Sequence, residues 1–162
     1  MLLNRAVVAL GANLGDPAAT FAQALELIGR DVGRVVARST WREAPALVHP
    51  DDPVREHPPY LNGVVLVDTP LGPEATLAGL HKVERALGRD RAAETLPWQP
   101  RTIDLDLIAF GEETRDGPGL VLPHPRMHQR DFVLGPLSEI WPDWRHPRLG
   151  RTASELLADL SV

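Results

Sequence analysis

The chain has 162 residues, no cysteine, and 17 basic against 22 acidic side chains, for a formal charge of −5. That length suits a single domain, 1–162, burying roughly 70% of the surface its unfolded chain exposes. Disulfides, thiolate metal sites and Cys nucleophiles are excluded, and the negative balance argues against a sequence-independent nucleic-acid binder.

The opening residues, MLLNRAVVALGA, carry their Arg inside a short apolar run and match a secretory signal poorly. No apolar stretch nears the roughly 20 residues of a membrane span. A cytoplasmic monomer is expected, with small-molecule substrates and neither nucleic acid nor membrane as partner.

Residues 5–10 read as a short buried strand ended by Gly11. Asp16 and Pro17 then supply an N-cap and first helical position, and Phe21, Ala24, Leu25 and Ile28 form a helical stripe up to Gly29. RVVARSTW, after Gly33, reads as a second strand. From Trp41 to Pro59 the chain has five prolines, several charges and no usable period, and a loop of that length in a compact domain is functional or disordered.

YLNGVVLVD (60–68) is a third strand. Pro73 opens a second helix with Leu77, Leu80, Val83 and Leu87 on its apolar face, stopped by Gly88. An irregular, Arg-containing stretch (89–100) precedes a strand at 102–110. The order β-α-β-β-α-β is the split βαβ pattern, so the expected fold is α+β: a ferredoxin-like antiparallel sheet with helices packed on it and a C-terminal extension of short helices and loops. Thr152 and Glu155 form a capping-box signature for a last helix.

The strand RTIDLDLIAFG contains two carboxylates where apolar residues are expected. Strand alternation puts Thr102, Asp104 and Asp106 on one face and Ile103, Leu105 and Leu107 on the other. Taken alone, a D-x-D of this kind is more often a solvated strand face. The functional alternative is a Mg²⁺ site, because Mg²⁺ is commonly held by one or two carboxylates together with phosphate oxygens and water. Arg89, Arg91 and Arg101 lie in the stretch before the pair, 15, 13 and 3 positions upstream of Asp104, and guanidinium groups bind phosphate bidentately.

A Walker-type loop is absent, because GANLGDP (11–17) is not followed by Lys and Ser/Thr, and Gly11 and Gly15 read as turn glycines. His124, between two prolines, suits a phosphate or ribose contact, while His49, His57, His81, His128 and His146 show no metal-ligand spacing. Tyr60 and Asn62 share one side of their strand. Asn pairs with a heterocycle's edge, and a ring such as Tyr60 or Phe132 stacks on its face.

GANLGD, PYLN (59–62), the E-x-x-x-G-R run at 84–89, PRTIDLDLIAFG (100–111) and LPHPRMHQRDFVLGPL (122–137) together resemble the 6-hydroxymethyl-7,8-dihydropterin pyrophosphokinases of folate biosynthesis. The resemblance implies transfer of pyrophosphate from ATP to the pterin hydroxymethyl group, with AMP released. It implies that Asp104 and Asp106 hold two Mg²⁺ ions on the ATP co-substrate and act in catalysis with Arg89 and Arg101. Glu84, Arg91, Trp98, Arg101, Leu107, His124 and Arg130 would line the nucleotide side. Ala44, Pro45, Tyr60, Asn62, Trp98 and Phe132 would line the pterin side. The loops 41–59 and 89–100 would be mobile lids, although the resemblance does not account for Asp51, Asp52 and His57 in the first. Two rival readings use the same layout: a nucleotidyl-transfer palm with paired Asp on a ferredoxin-like sheet, and a non-catalytic module that binds nucleotide or pterin.

Overall fold

The computed structural model describes residues 2–46, 48–54, 56–89 and 102–161. Its main sheet contains β1 (Asn4–Ala12), β2 (Arg34–Arg38), β3 (Arg42–Ala44), β4 (Tyr60–Thr69) and β5 (Asp104–Phe110), in the order β2-β4-β1-β5 with β3 also on β4. Every pairing is antiparallel. With α1 (Pro17–Asp31) and α2 (Pro73–Ala86) as the two crossovers, this is the ferredoxin-like arrangement expected from the order of elements.

β1 and β4 are central and buried on both faces, which explains why VVALGA and GVVLV are continuously apolar. On one face Val8, Leu10, Val65, Val67, Ile103 and Leu105 pack against Phe21, Ala24 and Ile28 of α1 and Leu80 and Val83 of α2. On the other, Val7, Val64, Leu66, Ile108 and Ala109 pack against α3 (Asp131–Ile140) and α4 (Ala153–Leu160). The C-terminal extension is therefore the second half of the core. It also contains a hairpin absent from the sequence reading, β6 (Arg115–Gly117) and β7 (Leu120–Leu122).

Local chemistry sets the helix ends. Asp16 Oδ1 accepts the Ala19 amide at 3.2 Å, and the capping box of α4 is formed by Thr152 and Glu155. α1 runs beyond Gly29 to Asp31, and the residue that matters is Gly33, where a Cβ would collide with the Asp68 carbonyl oxygen.

Two strand boundaries differ from expectation. β1 continues through Gly11 to Ala12, so Gly11 is a strand residue, whereas Gly15, at φ 65°, is a true turn glycine. The stretch read as loop from Trp41 begins with β3, which pairs the first residues of β4. Between β2 and β3 the chain steps out of the ladder at Ser39, whose hydroxyl accepts the Val64 amide at 3.0 Å in place of a backbone carbonyl. That side-chain substitution has no period, so the sequence pattern could not show it.

Candidate active site

Strand register gathers the site. Arg42 on β3 lies opposite Asn62 on β4, Asn62 opposite Gly11 on β1, and Gly11 opposite Asp104 on β5. Directly opposed residues share a sheet face, so Arg42, Asn62, Gly11 and Asp104 form one row across four strands. The next row is Val64, Ala9 and Asp106. The two carboxylates therefore face the same side as Asn62 and Tyr60, at the open end of the face that α3 covers further along.

Gly11 keeps this row clear. A Cβ there would lie 3.3 Å from Asn62 Oδ1 and 3.9 Å from Tyr60 Cδ1. Sequence reasoning assigned Gly11 to a turn and so missed it as the floor of the site. Only the strand register reveals that role. Arg42 was missed for the same reason, and its guanidinium reaches α3, where a Cβ on Gly135 would lie 2.9 Å from Arg42 Nη1.

The E-x-x-x-G-R run builds the support beneath Asp104. Glu84 sits in the last turn of α2, and Gly88, at φ 95°, lets the chain reverse so that the Arg89 amide donates to Glu84 O at 3.0 Å. Arg89 then runs back under β5. Its Nη1 donates to Glu84 Oε2 at 2.9 Å, to Ile103 O at 3.2 Å and to Asp104 Oδ1 at 2.7 Å. Glu84 Oε2 also accepts the Leu105 amide at 2.8 Å. Both side chains are buried, at 2% and 3% exposure. Two carboxylates and a guanidinium are thus clustered where the end of α2 meets the start of β5. Among the described residues Arg89 places a positive charge beside Asp104, its guanidinium fixed behind the strand as a brace. Glu84 likewise faces the interior.

His124 is tied to β5 at a β-bulge. The β1–β5 register shifts between Val7 and Val8, placing Ile108 and Ala109 both against the α3 side, and Ile108 O accepts the His124 amide at 2.7 Å. Burial first, then the nearby Arg130 and Arg126, lower the His124 pKa to about 4, against a smaller opposing effect of Asp104. The ring is neutral at pH 7. Its Nδ1 accepts the Arg126 amide at 3.2 Å, so Nε2 carries the proton and is a neutral donor. The Arg130 guanidinium lies 5.7 Å from the Phe132 ring at the start of α3.

The expected residues divide among three cavities. Asn62, Asp104, Asp106, Arg130 and Phe132 line one with Gly11, and its volume of about 30 Å³ admits water but no bicyclic ring. Phe132, 43% exposed, is its outermost aromatic wall. Ala44 and Pro45 line a separate cavity of about 540 Å³ with His57 and Pro59. His124 borders a third of about 300 Å³. The Leu107 side chain is not at the site: it is 4% exposed on the opposite face, in the core against α1 and α2. Arg91, Trp98 and Arg101 lie outside the described residues.

Among the described residues, no group of three or more His, Cys, Asp or Glu side chains is arranged to hold a metal. Two hard carboxylate donors on one strand face suit a cation that completes its shell with phosphate and water, as Mg²⁺ does.

A family model described as 7,8-dihydro-6-hydroxymethylpterin-pyrophosphokinase matches residues 7–142. The chain is 40% identical over 160 residues to a Pseudomonas aeruginosa 2-amino-4-hydroxy-6-hydroxymethyldihydropteridine pyrophosphokinase, covering 97% of this chain and 92% of that one. A Synechocystis protein of the same name is 39% identical over 153 residues, covering 94% and 74%. The fold is shared with the Plasmodium falciparum HPPK-DHPS crystallised with pteroate, at a TM-score of 0.74 and 14% identity; the match covers 97% of this chain but 44% of that longer one. The chain belongs to the 7,8-dihydro-6-hydroxymethylpterin-pyrophosphokinase family.

Proposed function

We propose that this single domain transfers the pyrophosphoryl group of ATP to the hydroxymethyl group of 6-hydroxymethyl-7,8-dihydropterin, releasing AMP, as a step of folate biosynthesis. The observation that carries the reading is the in-register row Asn62–Gly11–Asp104 with Asp106 one row away. It puts an amide suited to a heterocycle's edge beside a carboxylate pair suited to a metal-bound polyphosphate.

In this reading the substrate hydroxyl attacks the β-phosphorus and AMP leaves. Such transfer depends on in-line placement and charge neutralisation rather than on a covalent intermediate. Asn62 orients the pterin edge over the floor that Gly11 leaves open, and Tyr60 and Phe132 flank the ring.

Asp104 and Asp106 would hold two Mg²⁺ ions, which would neutralise charge on the bound phosphates. Arg89 acts by fixing Asp104 through the 2.7 Å bond, and Glu84 fixes Arg89. His124 donates from neutral Nε2 to a phosphate or ribose oxygen, and Arg130 supplies a fixed positive charge beside it. By resemblance, Arg91 and Arg101 steady the phosphates, Trp98 covers the site, and Ala44 and Pro45 border the pterin side.

The test is to incubate the protein with ATP and Mg²⁺, with and without 6-hydroxymethyl-7,8-dihydropterin, and to separate the nucleotides by chromatography. AMP formed only with the pterin is the expected result. ADP would point to γ-phosphoryl transfer and refute the proposal, and binding of both ligands without product would support a sensing module instead.

A further inference from the structure

The connection between β3 and β4 contains a buried pair that the chemistry above does not use. Asp52 is 3% exposed and the His57 side chain 5% exposed, and His57 Nε2 donates to Asp52 Oδ2 at 2.9 Å. The other carboxylate oxygen, Oδ1, accepts the Val54 amide at 2.9 Å. The Asp52 amide donates to His49 O at 2.9 Å, and the Asp51 amide donates to His49 Nδ1 at 3.1 Å.

Burying a carboxylate in a surface connection is costly unless its oxygens are bonded. Here one side chain reaches residues two and five positions ahead, in a connection with no ladder or helix among its described residues. Both ends of that segment lead to the site. At its entry Ala44 and Pro45 share a cavity wall with His57. At its exit Pro58 O accepts Asn13 Nδ2 at 3.0 Å, and Asn13, 2% exposed, follows the β1 segment that supplies Gly11. Tyr60 and Asn62 come immediately after.

We propose that Asp52 and His57 are positioning residues for the pterin side of the reaction, their bond pre-ordering the 45–59 connection so that Pro45, Tyr60 and Asn62 are in place before substrate arrives. The proposal rests on the pyrophosphokinase reading. A pre-ordered wall binds without losing the entropy of ordering itself. The acidic pair that would hold ATP lies in the same rows but on β5, two strands away from this connection, so ATP affinity is not expected to depend on it.

The test compares the wild type, Asp52→Ala and His57→Gln by steady-state kinetics, by calorimetric titration with the pterin in the presence of a non-hydrolysable ATP analogue, and by amide hydrogen exchange. Asp52→Ala is expected to raise the pterin KM and Kd by about tenfold, to leave kcat and the ATP KM within about twofold, and to lose protection in peptides spanning 48–59. The side-chain amide of His57→Gln donates to Asp52 and is expected to bring both affinity and protection back to within about threefold of wild type. Lost protection with unchanged pterin affinity would overturn the proposal, leaving the pair a holder of the loop alone. Equal losses for pterin and ATP would also overturn it, since the pair would then act through the core. A wild type that binds pterin but forms no pterin-dependent AMP would refute the activity reading separately, with the titration still judging Asp52.

Discussion

Replacing Glu84 with alanine tests the brace beneath the acidic pair. Glu84 is 1% exposed and accepts both the Leu105 amide at 2.8 Å and Arg89 Nη1 at 2.9 Å. Breaking a buried pair by removing one partner typically costs about 3–5 kcal/mol, and an orphaned buried amide accounts for about 1–3 kcal/mol of such losses. Asp104 remains 2.7 Å from Arg89, which offsets part of the loss and places Glu84→Ala near the lower end, about 3 kcal/mol. For a domain of this size each 1 kcal/mol lowers Tm by roughly 2–4 °C, so a drop of roughly 6–12 °C is expected in a thermal melt followed by circular dichroism. Arg89→Met should be similarly costly, and Glu84→Leu combined with Arg89→Met should be less destabilising than the sum of the singles by more than about 1 kcal/mol. A Tm change below about 2 °C for Glu84→Ala, or strict additivity in the cycle, would refute the buried-brace argument.

Asp104→Ala and Asp106→Ala should each remove several kcal/mol of transition-state stabilisation, or about 10²- to 10³-fold in kcat at saturating Mg²⁺, with circular dichroism unchanged; retained turnover would contradict the metal role. Gly11→Ala should fold, because its Cβ meets Asn62 Oδ1 at 3.3 Å rather than backbone, yet raise the pterin KM by several-fold, with ATP affinity measured in parallel as the control. His124 has a folded pKa of about 4, below its unfolded value, so the unfolded state binds more protons between about pH 6.5 and 4 and stability should fall as pH drops through that window. Urea unfolding across this range should show a shallower pH dependence in His124→Asn than in wild type. Gly135→Ala should displace the Arg42 guanidinium, since the new Cβ would lie 2.9 Å from Nη1, and the displacement would be read from the Arg42 Nε–Hε NMR signal.

The sequence pattern carried the sheet well where burial has a simple period. Strands 5–10, 60–68 and 102–110 and the two crossover helices all recur as elements, because two-sided burial writes long apolar runs into central strands. The pairing of Asp104 with Asp106 on one face was also legible, since strand alternation depends on nothing outside the strand. Relations between strands were not. Gly11 looks like a turn residue until register sets it against Asn62 and Asp104. β3 has no period because a hydroxyl, Ser39 Oγ, replaces a ladder acceptor just before it. Leu107 was placed at the site by resemblance, yet its alternation with Asp106 sends its side chain to the opposite core. Arg89 was read as a phosphate ligand from its proximity to the acidic pair. Gly88 and Glu84 instead turn its guanidinium inward.

The most direct measurement follows ³²P placed at the β-phosphorus of ATP, with Mg²⁺ and 6-hydroxymethyl-7,8-dihydropterin, in the wild type and in Asp106→Ala. Pyrophosphoryl transfer requires the label to leave the nucleotide pool, to appear on the pterin as a diphosphate ester beside unlabelled AMP, and to stay in ATP with Asp106→Ala. Label recovered in ADP, or transfer undiminished in Asp106→Ala, would contradict the account.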